Sequence, residues 1–405
     1  MLFDPQFHEP LTTEPWARER ALAAIGAIAA DAEVGLDDED WWPVHPLDET
    51  TTQRLGPLGL KVGAAGMLWG LDALGRSGLT ELRRDYSPYA ERLPGAYASA
   101  PKHPARPEFF PETSLWGGET GVLLVSQRLA PSPDRADALH DRIVANVGDE
   151  TNSLIWGSPG AMLAAEAMIE WTGEERWERA WLELADHLWH QWRPARRFGC
   201  RLWGMREPDG QFRAHLGAIG LAGNAGVLAH RRARLGPDRA AELDDRAVEA
   251  VSRFALRDDG LANWAPWAGL EEATDRVFMI RWCNGAPGVI CSLAGVAPGD
   301  ETLDELLIAG GELTWRAGPP SVGPGLCCGT SGAGFAFLNL HGRTGDARWL
   351  ERARAFAMHA IGQVERSHRH YGRGRFSLWT GDLGVAFFLA ECLNGSARFP
   401  TIDLW

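Results

Sequence analysis

Residues 281–288 read Arg-Trp-Cys-Asn-Gly-Ala-Pro-Gly, and residues 326–334 read Leu-Cys-Cys-Gly-Thr-Ser-Gly-Ala-Gly. Both stretches place cysteine just ahead of a Gly-x-x-Gly unit, and an apolar run follows each unit. Cys327 and Cys328 are adjacent, and Cys283 has the matching place in its own unit. If the two units are equivalent in space, three thiols converge. Three thiolates with one open position are typical of a catalytic zinc site, so the sequence predicts zinc at these cysteines.

The Gly-x-x-Gly unit recurs along the chain. Five further units begin at Gly63, Gly118, Gly157, Gly220 and Gly381, and in the fourth unit a register that starts at Gly223 is equally open. The apolar runs that follow the glycines are typical of buried helices, and amphipathic segments such as 173–192 lie between them. A long repeat of this kind leaves room for one helical hairpin per unit.

The sequence therefore predicts an all-α fold, an α/α toroid with a double ring of seven inner and seven outer helices. Gly-x-x-Gly turns open the inner helices, whose N-termini then gather at one end, here called the mouth. Free N–H groups and helix dipoles make this end favourable for thiolates and anions. We expect residues 57–405 to form the toroid and residues 1–56 to form an N-terminal helical extension that packs on it.

Composition and charge exclude several classes of partner and indicate the cellular compartment. The chain has 405 residues and a formal net charge of −14, which argues against nucleic acid or an anionic membrane surface as a partner. No apolar run is long enough to span a membrane, and residues 1–10 lack the apolar core of a signal peptide. Six cysteines in so long a chain do not suggest a disulfide scaffold. A reducing, cytoplasmic setting is therefore expected.

Several residues in or beside the units are candidates for substrate contact at the mouth. Arg281 is a candidate for binding a substrate carboxylate, although a solvated or ion-paired arginine is the commoner case. Trp282 and Trp379 are candidates for lining the mouth, although most tryptophans in this chain are expected to anchor helix contacts. The remaining candidates are Asn284 and Asp382.

Two of the motifs resemble those of a known family. Residues 282–288 resemble the Trp-Cys-x-Gly-x-Pro-Gly motif of the lanthionine synthetase C-like (LanC-like) proteins, and residues 326–330 resemble their Cys-His-Gly motif. The seven glycine units resemble the family's seven-fold toroid, so the resemblance covers nearly the whole chain and is nearest to stand-alone bacterial members. It implies that Cys283 and Cys327 bind zinc, with Cys328 in the place of the usual histidine. It also implies activation of a thiolate that adds to the β-carbon of dehydroalanine or dehydrobutyrine, as in the thioether rings of lanthipeptides.

The chain departs from the family where protons are transferred. The family has a histidine, as general acid–base, immediately before the glycine of the fourth unit. Here that residue is Ile219, or Ala222 in the other register, and neither transfers a proton. A carboxylate usual in the third unit is replaced by Ser153. His215 is the candidate replacement if the turn that carries it is rearranged.

Three functions remain open from the sequence. The first is a zinc enzyme that adds the thiol of a peptide cysteine or of glutathione to a dehydrated peptide. The second is a zinc-retaining pseudoenzyme that binds a modified peptide or a partner modifying enzyme without turnover. The third is an α/α-toroid glycoside hydrolase, which needs two carboxylates across a cleft. Glu119 and Asp382 are its candidates, and it leaves the cysteines unexplained.

Overall fold

A computed structural model describes residues 2–100, 112–206, 211–270 and 278–405. Within these residues, seven helices form a closed inner ring, in which each contacts its two neighbours and the last contacts the first. They are α3 (Ala64–Arg76), α5 (Glu119–Leu129), α7 (Ser158–Thr172), α9 (Leu221–His230), α12 (Ala286–Leu293), α14 (Thr330–Thr344) and α16 (Asp382–Asn394). Seven more pack around them: α1 (Arg18–Val34), α4 (Ser87–Ser99), α6 (Pro133–Val144), α8 (Glu175–Gln191), α11 (Pro237–Arg253), α13 (Glu301–Ala317) and α15 (Ala347–Tyr371). The predicted α/α toroid is confirmed.

The two rings differ in burial as their sequences predict. In α16 every residue from Asp382 to Leu393 is buried, because the helix has neighbours on all sides. In α11 only Leu243, Ala247, Ala250 and Val251 are buried, which is one face at helical spacing. The core therefore lies within the inner ring and between the two rings.

The remaining elements are short. Two further helices, α2 (Glu49–Leu55) and α10 (Arg232–Leu235), lie in connections. Three antiparallel hairpins pair β1 (Arg193–Ala195) with β2 (Cys200–Leu202), β3 (Met205–Arg206) with β4 (Phe212–Arg213), and β5 (Ala255–Asp258) with β6 (Leu261–Trp264). Among the helices of the described segments, none is both long enough and apolar enough to cross a bilayer.

The glycines let each inner helix start against its own preceding loop. In the sixth unit, a Cβ on Gly329 would lie 2.3 Å from the carbonyl oxygen of Gly323, and a Cβ on Gly332 would lie 1.8 Å from that of Leu326. No other residue permits such an approach of backbone to backbone. The Thr330 N–H donates to the Gly323 carbonyl at 3.0 Å and closes the loop. The residues just before Gly329 are thereby held at the mouth.

In the fourth glycine unit, the structure selects the register that begins at Gly220 rather than the one that begins at Gly223. Gly220 is the N-cap of α9, the role that the first glycine has in the other six units. Ile219 therefore stands directly before the cap. Ala222 lies in the first turn of α9 and is fully buried, so the register that put it in the family's histidine position is wrong.

The chain ends also contribute to the toroid. The helix α1, which lies before the predicted boundary at residue 56, packs against α16 and α15 in the outer layer. The division into residues 1–56 and 57–405 stays a prediction. At the other end, Phe399 packs among core aromatic rings, and Trp405 packs on Trp69 of α3 at 5.9 Å between ring centroids. The C-terminal residues therefore help to fill the middle of the ring.

Candidate metal centre

The structure brings three cysteines together at the mouth. Their sulfur atoms all lie within 4.8 Å of one another. The Cys283 sulfur is 3.5 Å from that of Cys328, which is 3.7 Å from that of Cys327. A tetrahedral zinc site with Zn–S bonds of about 2.3 Å separates its sulfurs by about 3.8 Å. The three thiols can therefore hold a metal ion after only small adjustments.

A chain of backbone hydrogen bonds fixes the cysteines relative to other units. The Cys283 N–H donates to the Cys327 carbonyl at 3.2 Å, and the Cys327 N–H donates to the Trp379 carbonyl at 2.9 Å. Trp379 in turn donates to Lys61 at 3.1 Å, and Lys61 donates to Trp116 at 2.9 Å. Each of these five residues stands two places before the first glycine of its unit. The glycine repeat thus sets the spacing of the sulfurs through the backbone.

Lys61 completes the electrostatics of the cluster. Hydrogen bonds from the thiols of Cys283 and Cys328, together with the nearby ammonium group of Lys61, hold the pKa of Cys327 well below its usual range despite burial. The hydrogen bonds to Cys327 and Cys328 raise the pKa of Cys283 well above it. For Cys328, the hydrogen bond with Cys283 lowers the pKa, but the bond with Cys327 and burial outweigh it and raise the pKa to about 12. Among the three thiols, Cys327 is therefore the one that loses its proton most readily, and a bound divalent ion would displace the protons of its ligands.

The two candidate tryptophans are next to the cysteines along the backbone and are buried. Trp282 is 1% exposed and Trp379 is 0% exposed. Their ring centroids are 4.8 Å apart, with Trp116 at 4.5 Å from Trp379 and Phe399 at 5.2 Å from Trp282. The expectation that these tryptophans line the mouth is wrong, because burying the indole rings fills the centre of the toroid. They form an aromatic floor that supports the site.

Arg281 and Asn284 flank Cys283. The Arg281 N–H donates to the Asn284 carbonyl at 3.1 Å, which closes the loop around the cysteine. Arg281 is partly exposed, and its charge acts on His8 of the N-terminal segment. The side-chain oxygen of Asn284 is buried and has no hydrogen-bond partner among the described residues. Both remain predictions as substrate-binding residues.

Comparison with known proteins identifies the family. Residues 205–404, which include the three cysteines, match the family model of the lanthionine synthetase C-like proteins. The glutathione S-transferase LANCL1 of Danio rerio is 32% identical over 197 residues, which cover 46% of this chain and 45% of that protein. The LanC-like protein GCL1 of Arabidopsis thaliana is 32% identical over 165 residues, which cover 39% of this chain and 32% of that protein. Residues 205–404 therefore form a LanC-like domain. The chain spans less than half the length of these two curated relatives.

A solved structure extends the comparison to the whole fold. Nisin cyclase matches with a TM-score of 0.55 at 16% sequence identity, over 86% of this chain and 96% of that one. At this identity the likeness concerns the fold alone. It agrees with the closed double ring described above, and because it covers 86% of the chain it extends well before residue 205.

Ile219 and Ser153 occupy the two positions at which the resemblance predicted acid–base residues. Ile219 precedes the cap glycine of α9, as described above. Ser153 is fully buried, and within the described part of the chain its hydroxyl has no hydrogen-bond partner. Neither residue can serve as general acid or base.

His215 lies near the cysteines but outside their ligand group. Its carbonyl accepts from the Leu221 N–H at 2.9 Å, and its ring lies against Trp267 with centroids 6.0 Å apart. In the same loop, a Cβ on Gly217 would lie 2.9 Å from the Cys283 carbonyl, so the loop packs directly on the metal-site loop. In the described segments no other His, Cys, Asp or Glu joins the three cysteines as a potential ligand. A role for His215 in proton transfer stays a prediction.

Asp382 lies next to the outer helices α1 and α15. Its carboxylate accepts from the Arg375 N–H at 2.8 Å and lines a cavity of about 150 Å³ together with Asp31 and His368. Burial raises the pKa of Asp382 to about 6. Asp31 and His368 belong to the outer helices α1 and α15, so this cavity lies between the two rings. Substrate binding by Asp382 stays a prediction.

The carboxylate pair of a glycoside hydrolase is also absent from the mouth. Glu119, the first residue of α5, is ion-paired with Arg142 of α6. Like Asp382, it faces the outer helices. The two acidic side chains therefore do not flank a common cleft, and the glycoside hydrolase hypothesis loses its only candidates.

Proposed function

We propose that this protein adds a thiol to dehydroalanine or dehydrobutyrine residues of a dehydrated peptide, at a zinc ion held by Cys283, Cys327 and Cys328. The thiol belongs to a cysteine of the same peptide or to glutathione. The observation that carries this proposal is the convergence of three thiols from two neighbouring units at the mouth. The names of two similar proteins, a glutathione S-transferase and a cyclase, support thiol chemistry.

The donor set suits this chemistry. When bound, zinc lowers the pKa of an incoming thiol and orients its sulfur. A third thiolate in place of an imidazole makes the centre more electron-rich, which favours a nucleophilic sulfur over a strong Lewis acid. The partly exposed Cys328 leaves one side of the site in contact with solvent. Thiols of this kind stay reduced in the cytoplasm, where we propose that the protein acts.

The addition also requires a proton. The sulfur electron pair forms the S–Cβ bond, the electrons of the Cα=Cβ double bond move to an enolate, and a proton then returns to Cα. Ile219 and Ser153 cannot supply this proton. We propose His215 or water as its source, because the His215 loop packs on the loop of Cys283.

The second candidate function is a pseudoenzyme that keeps the metal site and binds a dehydrated peptide or its modifying enzyme. The observation that favours it is the absence of a proton carrier at residues 153 and 219. In this case the mouth recognises a ligand but does not turn it over.

Incubation of the protein with a dehydrated peptide and glutathione, followed by mass spectrometry, separates the two functions. An enzyme adds one glutathione per dehydro residue or closes rings, and Cys327→Ala abolishes the change. The control is Cys200→Ala, because Cys200 is buried in β2, outside the cluster. Unmodified peptide that nevertheless binds to the protein contradicts the enzyme and supports the pseudoenzyme. The same assay on His215→Ala tests the proton source, since the rate falls only where the imidazole supplies the proton.

A further inference from the structure

Lys61 has no assigned role, although it lies at the cysteine cluster. Of the 40 lysine and arginine residues in the chain only two are lysines, Lys61 and Lys102. Lys61 has the same place in the first unit that Cys283 and Cys327 have in theirs, two residues before the first glycine. It lies before residue 205, so it is outside the region that matches the family model.

The contacts of Lys61 direct its charge at the sulfurs. Its backbone carbonyl accepts from Trp379, whose own carbonyl accepts from Cys327, so the first and sixth units are linked through the seventh. Its side chain lies close enough to the Cys327 sulfur for the two groups to interact electrostatically. A lysine side chain, with an ordinary pKa near 10.4, is an ammonium ion at neutral pH.

The charge of the ligand set explains why a cation is needed there. A divalent ion held by two thiolates and a neutral imidazole has no net charge, whereas three thiolates leave one net negative charge. A thiolate substrate would add another. An uncompensated charge at a largely buried site is costly, and a nearby opposite charge offsets that cost. An ammonium group is a compact charge with three donors, which suits a cluster of sulfurs better than the planar fork of an arginine.

We propose that Lys61 is a constituent of the metal centre, where its ammonium group compensates the additional negative charge of the three-cysteine ligand set. Lys61 is a positioning and charge-compensating residue, and it does not bind the metal itself. The inference rests on the proposed function for the presence of zinc. It adds that the site accepts an anionic fourth ligand because Lys61 offsets its charge.

Zinc affinity, measured by competition with a chromophoric chelator, tests this role without an activity assay. Lys61→Met removes the charge and keeps the chain length, and we expect the affinity for zinc to fall about 10- to 100-fold, the range for lost outer-shell partners. Lys61→Arg keeps the charge and should stay within about threefold of the wild type. The control is Val62→Ala, because Val62 is buried next to Lys61 but packs with Leu55 and Trp156, away from the sulfurs. It should leave the affinity unchanged.

A second background separates charge compensation from a merely structural role. In Cys328→His the ligand set loses one negative charge, so the Lys61→Met substitution should cost less than about threefold there. An equal cost in both backgrounds shows that Lys61 acts in another way and overturns the inference.

The outcomes are distinguishable. Wild-type protein that takes up no zinc overturns the proposed function together with this inference. Wild-type protein that binds zinc no more tightly than folded Lys61→Met overturns the inference alone. Circular dichroism establishes that the variants fold, and Lys61→Gln replaces Lys61→Met if the latter does not.

Discussion

At the scale of single residues, His230 connects the inner ring to the C-terminal segment. Its Nδ1 lies 3.4 Å from a carboxylate oxygen of Glu166, and its Nε2 lies 3.3 Å from one of Asp403. Burial lowers the pKa of His230, but the hydrogen bonds to Asp403 and Glu166 outweigh it and raise the pKa to about 10. The imidazole is therefore charged in the folded protein at neutral pH.

This raised pKa predicts a pH-dependent stability. The folded state keeps the His230 proton above the ordinary histidine pKa of 6.5, so the contribution is complete below pH 6.5 and is lost as pH rises through about 10. We expect His230→Gln to lower the free energy of unfolding by about 1 to 3 kcal/mol near pH 6, and by less at pH 10. Urea unfolding at several pH values measures this. The exposed His190→Gln is the control, and a His230→Gln effect that does not change with pH would refute the account.

Only some residues of the site could be predicted from the sequence. The three cysteines were predictable, because an adjacent pair and a matching position in another unit are visible in one dimension. Lys61 was missed, although it has that same position, because its place beside Cys327 depends on closure of the ring. Trp282 and Trp379 were misplaced for a related reason: the sequence does not tell which side of the loop faces solvent.

At the scale of elements, the glycine turns determine where the inner helices start. In α14, Gly332 lies at the first turn against the Leu326 carbonyl, whereas a Cβ on Gly342 would meet no atom within 4 Å. Replacement of glycine by alanine should therefore destabilise the protein at residue 332 and stabilise it at residue 342.

We expect Gly332→Ala to destabilise the protein by about 3 kcal/mol, because the new methyl group overlaps backbone that cannot move away. Gly342→Ala should stabilise it by about 0.5 to 1 kcal/mol, since alanine is the better helix former at an exposed interior position. Urea midpoints of the two variants measure the difference. Equal midpoints would mean that the close approach at Gly332 is not needed.

The fourth unit shows why element boundaries were only partly predictable. Glycines at 220, 223 and 226 fit the repeat in two registers. The structure selects the first, yet a Cβ on Gly223 would meet the carbonyl of Ala218, five residues back, where Gly332 meets that of Leu326, six residues back. The loop before α9 is therefore one residue shorter than the corresponding loop before α14. The local sequence pattern does not show this difference.

At the scale of the whole molecule, the closed ring is what creates the site. The seven-fold repeat was predictable because each unit carries its own glycines and apolar run. The C-terminal segment was not predictable, because Phe399 and Trp405 belong to no periodic pattern, yet their rings pack on Trp282 and Trp69 of the core. Closure brings Lys61 of the first unit to Cys327 of the sixth, so residues far apart in the chain share one site.

The metal content of the purified protein tests most directly whether distant cysteines meet around one ion. We expect about one zinc per chain in the wild type and in Cys200→Ala, and none in Cys283→Ala, because one ligand of three would be lost from an already open site. Wild-type protein without metal, or a full zinc complement in folded Cys283→Ala, would contradict the account.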